Sequence, residues 1–293
     1  MADSLPDPNL SDFELLPNPD GPAPRRQRHG LWLLILLIVV LAVIAYVVVT
    51  TRQRASIPQA ITTAPHPAET PKPLERPLGG DATPIALPPL GETDPIVRQL
   101  VRALTSNPQI AAWLATSDLI RNFVVVVSNV GDGRTPAPQL RVLRPPAMFR
   151  VVDRGGSLSI DPRSYQRYDR LADAAASVDP VGAARLYTVL KPRIEDAYRE
   201  LGYPDAPFDG ALERAFAVLL GTPQVTEPVR VVPMGVTYQY ASADLARLSS
   251  AQRQLVRTGP RNEPMIQASL RAIAIALGIP AERLPMPRQV AGS

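Results

Sequence analysis

The chain has 293 residues, a net charge of +4, two histidines and no cysteine. Disulfides and thiolate metal sites are therefore excluded. So small a positive excess, with no clustered basic face and no nucleotide-binding or zinc-finger motif, gives no footprint for a nucleic acid.

Residues 1–30 read as a disordered acidic and then basic tail. Asp3, Asp7, Asp12, Glu14 and Asp20 alternate with prolines, and few large apolar residues are present. Such a segment buries too little surface to offset its ordering entropy. Leu31 to Thr50, LWLLILLIVVLAVIAYVVVT, has no charge, Gly or Pro. About 20 apolar residues in a helix match the roughly 30 Å hydrocarbon core of a bilayer, and a helix satisfies its own amides in lipid. Trp32 and Tyr46 suit the two interfaces. The expectation is a single-pass transmembrane helix with the lipid bilayer as its partner. Arg25, Arg26 and Arg28 precede it and Arg52 and Arg54 follow, so the charge bias places the N-terminus in the cytoplasm. No cleavage site closes the run, which predicts an uncleaved anchor in the inner membrane with the C-terminal part extracytoplasmic or periplasmic.

Residues 51–86 form a Pro-rich linker, with Pro58, Pro65, Pro67, Pro71, Pro73, Pro77 and Pro84. Proline fixes φ and removes donors, so polyproline II character is expected.

Residues 87–284 read as one globular domain, mainly α with a small antiparallel β-sheet. Asp94-Pro95, Asn107-Pro108, Asp161-Pro162 and Asp179-Pro180 each set a capping side chain before a proline at the first helical position. Asp118, Asp209 and Asp244 read as further N-caps. Helices are expected at 95–104, 118–130, 163–176, 181–201, 211–220, 245–258 and 263–277, the fourth kinked or restarted at Pro192 and the sixth broken at Ser249, which has capping-box spacing to Gln252. In the last, Ile266, Leu270, Ile273 and Leu277 share a face. Residues 148–152 and 158–160 read as a hairpin about Gly155-Gly156, to which part of 229–240 pairs. Residues 285–293 read as a disordered tail.

Three segments carry a resemblance: LPPLGETDPIVRQLV at 87–101, DPRSYQRYDRL at 161–171 and AYRELGYPD at 197–205. In this order they are similar to the bacterial domain-of-unknown-function family 3014. The resemblance implies a single-pass anchor carrying a globular domain, with no assigned activity and no catalytic residue.

Both histidines, His29 and His66, precede the domain. A Ser–His–Asp triad, a Cys–His pair and His-ligated zinc are thus unavailable within it; no catalytic residue, metal ligand or cofactor is assigned. A Ser–Lys dyad would need Lys191. Among carboxylates, Glu195, Asp196 and Glu200 share a helix, where Glu195 can pair with Arg199. The densest constellation is Tyr165, Arg167, Tyr168, Asp169, Arg185, Tyr187, Tyr198 and Tyr203. Tyrosine and arginine are frequent interface anchors, which makes these the candidate partner-binding residues; equally, the rings can roof a helical core. The expected function is a tethered, non-catalytic binding or scaffolding module for an envelope protein or cell-wall partner. The alternative is an envelope glycan hydrolase working through a carboxylate.

Overall fold

The computed structural model describes residues 77–80, 85–235 and 237–292. The N-terminal tail, the Leu31 to Thr50 segment and most of the linker lie outside the described residues. Among those described, no single helix is long and apolar enough to cross a membrane.

The fold is mainly α with small sheets. The helices are α1 (Asp94–Leu104), α2 (Pro108–Leu114), α3 (Leu119–Gly131), α4 (Pro162–Gln166), α5 (Asp169–Ala176), α6 (Pro180–Glu200), α7 (Phe208–Leu220), α8 (Ala243–Ala246), α9 (Ser250–Val256) and α10 (Gly259–Ala276). Asn107, Asp161 and Asp179 cap α2, α4 and α6 through their side chains, each with proline in the first turn. Ser249 and Gln252 close a full capping box on α9.

Three acidic caps act differently from expectation. Asp94 does not cap its own helix; its Oδ2 and Oδ1 accept the N–H groups of Asp118 and Leu119 at 3.0 and 2.9 Å. It therefore caps α3 from a distance, while Asp118 sits at φ 54° with no side-chain cap bond. Asp209 lies inside the first turn of α7, and Glu195 on α6 receives the Phe208 N–H instead, at 3.1 Å. Asp244 is a first-turn residue of α8 and pairs with Arg247. A carboxylate near a helix start satisfies the same orphan amides whether it is local or remote, so the sequence signal names the residue and not the helix.

Helix α6 runs unbroken through Pro192, whereas the stretch expected as one helix over 163–176 divides into α4 and α5 at Arg167 and Tyr168. Strands β1 (Val151–Arg154) and β2 (Ser157–Ile160) form the expected hairpin, pairing Arg154 with Ser157. Gly155 and Gly156 have φ of 66° and 85°, the left-handed pair that a two-residue turn requires to match strand twist. Strand β3 is Gln224–Thr226; β4 (Val231–Met234) and β5 (Thr237–Tyr240) make a second antiparallel hairpin. A bridge between Ser159 and Arg230 ties the two hairpins.

Both ends of the folded unit reach further than expected. Leu78, within the predicted linker, is 1% exposed in the main core, and the Gly79 N–H donates to the Leu277 carbonyl at 2.8 Å. One leucine among prolines carries no periodicity to reveal it. At the other end, the predicted disordered tail contains β6 (Gln289–Ala291), which pairs parallel with β3. Backbone pairing supplies that order, with little side-chain signature.

Two apolar clusters result. The larger is helical: α3 packs on α6 and α7, and α10 on α5, α6 and α7. The smaller lies under the strands and joins Phe149, Ile160, Tyr165, Val231, Tyr240 and Leu245.

Candidate functional site

The larger cluster is not filled. A cavity of about 480 Å³ lies among α1, α2, α3, α6, α7 and α10. Its wall includes Val101, Trp113, Phe123, Leu186, Leu270 and Ile273. Close-packed interiors rarely leave voids larger than a water molecule, and these large apolar side chains keep partial exposure because they face that space. The pair α2–α3, bent by 109° at its break, forms one side. Arg98 holds the bend: its Nε and Nη2 donate to the carbonyls of Leu114 and Thr116, both at 2.7 Å, while Nη2 meets Asp94 at 3.2 Å.

The wall offers almost nothing polar. Tyr187 lines it, but its hydroxyl donates to Asp209 Oδ1 at 2.5 Å. Burial first, then this hydrogen bond to the carboxylate, pushes the phenol far above its ordinary range. Asp209 also accepts Lys191 Nζ at 2.6 Å and the Leu78 N–H at 3.1 Å. Lys191 is thus committed to an ion pair, and the Ser–Lys dyad has no base. At the rim stands Thr105, 3.4 Å from Ser177 across hydroxyl oxygens. Leu104 and Thr105 also line an open polar basin with Arg102, Ser106, Asn107 and Ser177.

A second group of interest is Glu263. It is 1% exposed, its Oε1 has no hydrogen-bond partner, and burial raises its pKa to about 8 despite a bond from the Val225 backbone. Nearby Tyr165 also has an unpartnered buried hydroxyl. Sequence analysis did not select Glu263, although a signal existed: Glu263, Gln267, Leu270, Ala274 and Leu277 continue one helical stripe, so an acid occupies a core position. The cavity itself left no such mark, because its lining residues are ordinary core types.

The eight candidate partner-binding residues are distributed over both clusters. Tyr165 belongs to the strand-side core, and Tyr187 and Tyr198 to the helical one. Tyr168 is 4% exposed. Tyr203 is the exposed tyrosine of the set and stacks on Tyr198 at 4.5 Å. Arg167 lies over the rings of Phe149 and Tyr168. Asp169 accepts from Asn262 Nδ2 at 2.8 Å and lies 3.4 Å from Arg261. Arg185 is exposed on α6. Burial of four rings reflects their area, which belongs in a core when no partner is present.

The other carboxylates are engaged. Arg199 pairs with Asp196 rather than Glu195, since Glu195 is turned to the start of α7; desolvation raises its pKa. Glu200 meets Arg121 at 2.8 Å. Among the described residues no group of three or more acidic or imidazole side chains is placed to hold a metal ion.

A family model described as "Protein of unknown function (DUF3014)" matches residues 119–274, more than half of the chain. The chain belongs to the DUF3014 family. The DUF3014 match runs from α3 into α10, so it contains the second and third resembling segments and not the first. No curated protein and no solved structure matches the chain.

Proposed function

We propose that the chain is a non-catalytic binding module of the bacterial cell envelope, tethered by Leu31 to Thr50 with its folded unit outside the cytoplasm, and that the helical-core cavity is where it binds. The observation carrying this reading is the cavity wall: about 480 Å³ bounded by apolar side chains, with no nucleophile and base paired within it. Sites of this size that are mostly apolar hold small molecules by burial. Arg167, Asp169, Arg185 and Tyr203 supply the accessible positions for a partner contact on the envelope side.

Glu263 favours the rival hydrolase reading, because a carboxyl kept protonated near neutral pH suits a general acid. It lines none of the cavities described here, and a glycosidase needs a second carboxylate across an open cleft. The test uses the full-length chain. It is expected to stay with carbonate-washed membranes, and to carry an active reporter after Ser293 only where that reporter requires export. It is expected to release nothing from purified cell-wall glycan. Release of products that Glu263→Gln abolishes would overturn the binding reading in favour of hydrolysis.

A further inference from the structure

The cavity and the basin meet at Leu104 and Thr105, and their chemistries are opposite. Inside, the wall gives water almost no hydrogen-bonding partner. A cavity of about 150 Å³ accepts one benzene, so 480 Å³ corresponds to on the order of eighteen carbons. Outside, the basin presents hydroxyls from Thr105, Ser106 and Ser177, the Asn107 side chain and the exposed Arg102. Arg102 has no ion pair among the described residues, and no carboxylate lines the basin. Where the two meet, α6 packs closely on Leu104: a Cβ built on Gly182 would lie 2.6 Å from Leu104 Cδ2 and 2.8 Å from Asp179 Oδ2, and Ala183, next in sequence, lines the cavity.

We propose that this site takes a single-chain anionic amphiphile, with its acyl chain in the cavity and its carboxylate or phosphate head in the basin beside Arg102. The inference rests on the reading of the cavity as a binding site and adds the class of ligand. A chain with one head fits because the apolar lining and the polar basin share Leu104 and Thr105. Burying methylenes supplies affinity, about 0.8 kcal/mol for each, and the guanidinium selects the sign of the head.

Trp113 gives a direct readout. It lines the cavity, and the chain has one other tryptophan, Trp32. The full-length Trp32→Phe chain in lipid discs is titrated with chain-brominated palmitic acid, chain-brominated lysophosphatidylglycerol and a chain-brominated fatty alcohol. Saturable quenching of Trp113 by one or both anions is expected, and which of them quenches more tightly distinguishes a carboxylate from a phosphate source. Ala183→Phe, which narrows the cavity near its mouth, is expected to remove the saturable component. Arg102→Glu, an exposed change that leaves the core alone, is expected to weaken the anions about threefold, as a single exposed charge pair allows, and the alcohol not at all. If the alcohol quenches as tightly as the anions in both backgrounds, the amphiphile inference falls while the apolar binding reading stands. If no ligand quenches, or Ala183→Phe with an unchanged circular dichroism spectrum quenches like its parent, both fall.

Discussion

Helix α10 passes through both interiors of the molecule, and its two halves are built on opposite principles. The first half buries polar groups and satisfies most of them. Asn262 Nδ2 donates to the carbonyls of Tyr165 and Thr258, each at 3.1 Å, and to Asp169. Gln267 Nε2 donates to Leu219 and Thr222 at 3.0 and 2.9 Å, and its Oε1 accepts from Gln224 at 2.8 Å. The second half places Leu270 and Ile273 on the cavity, and Leu277, just past its end, joins them. Directional bonds fix a register because each lost partner leaves a buried group unpaired. Apolar contacts carry no such penalty, so slack accumulates there. Directional bonds therefore hold α10 where it meets the strands, and space is left where it meets the helices.

The largest expected effect tests the hydrogen-bonded end. Gly259 begins α10 at φ +90°, and an added Cβ would stand 2.4 Å from the Tyr165 ring. Gly259→Val combines a left-handed backbone with overpacking, on the order of 4 kcal/mol of lost stability. Urea unfolding followed by near-UV circular dichroism measures it; a loss below about 1 kcal/mol would mean that the ring is not seated there.

Glu263 gives the next effect, and its sign is fixed. Its folded pKa is raised to about 8 from an ordinary 4.5. The folded chain then holds a proton that the unfolded chain releases, so stability is full below about pH 4.5 and is lost as pH rises toward 8. The difference is on the order of 3 kcal/mol across that window. Glu263→Gln removes the ionisation, and its unfolding midpoint is expected to fall much less there than the parent's. Glu195 and Glu213, both raised by burial, contribute a smaller slope of the same sign that persists in the variant.

Much of the fold was legible in the sequence for reasons that differ by element. Proline after a capping side chain marks a helix start by local sterics, so α2, α4 and α6 were readable from dipeptides. Gly155-Gly156 specifies a turn by backbone freedom alone. What escaped depends on distant partners. Asp94 and Glu195 look like any helical carboxylate until the chain folds α3 and α7 onto them. β6 pairs by main-chain bonds that side chains do not announce, and Leu78 is one apolar residue in a proline-rich stretch. The Tyr/Arg set was legible as a concentration of aromatic area, but not its distribution over two cores. A cavity is an absence of atoms among ordinary Val, Leu and Phe, and no local pattern encodes it.

A smaller effect separates local from remote capping. Asp94→Ala removes the acceptor for two amides at the start of α3 together with the Arg98 contact, a loss of about 1–2 kcal/mol. Asp118→Ala removes an exposed pair with Arg121 and puts alanine at a φ of 54°, for which about 1 kcal/mol or less is expected together. The reverse order in thermal unfolding would return the cap to Asp118.

The smallest effect bears on the roomy end and has the opposite sign. Ala183→Leu adds three carbons to a wall that has space for them. Burial at about 0.8 kcal/mol per methylene, less the cost of imperfect fit, predicts a gain of about 1 kcal/mol for the ligand-free chain. Leucine and alanine are both good helix formers, so the gain comes from the cavity and not from α6. A bound acyl chain would already cover the same surface, and the substitution would then compete with it. The variant is therefore expected to be more stable than the parent when stripped of lipid, and less so once palmitate is present. A loss in both states would show that the space beside Ala183 is too small for a leucine, and the contrast between the two halves of α10 would lose its roomy partner.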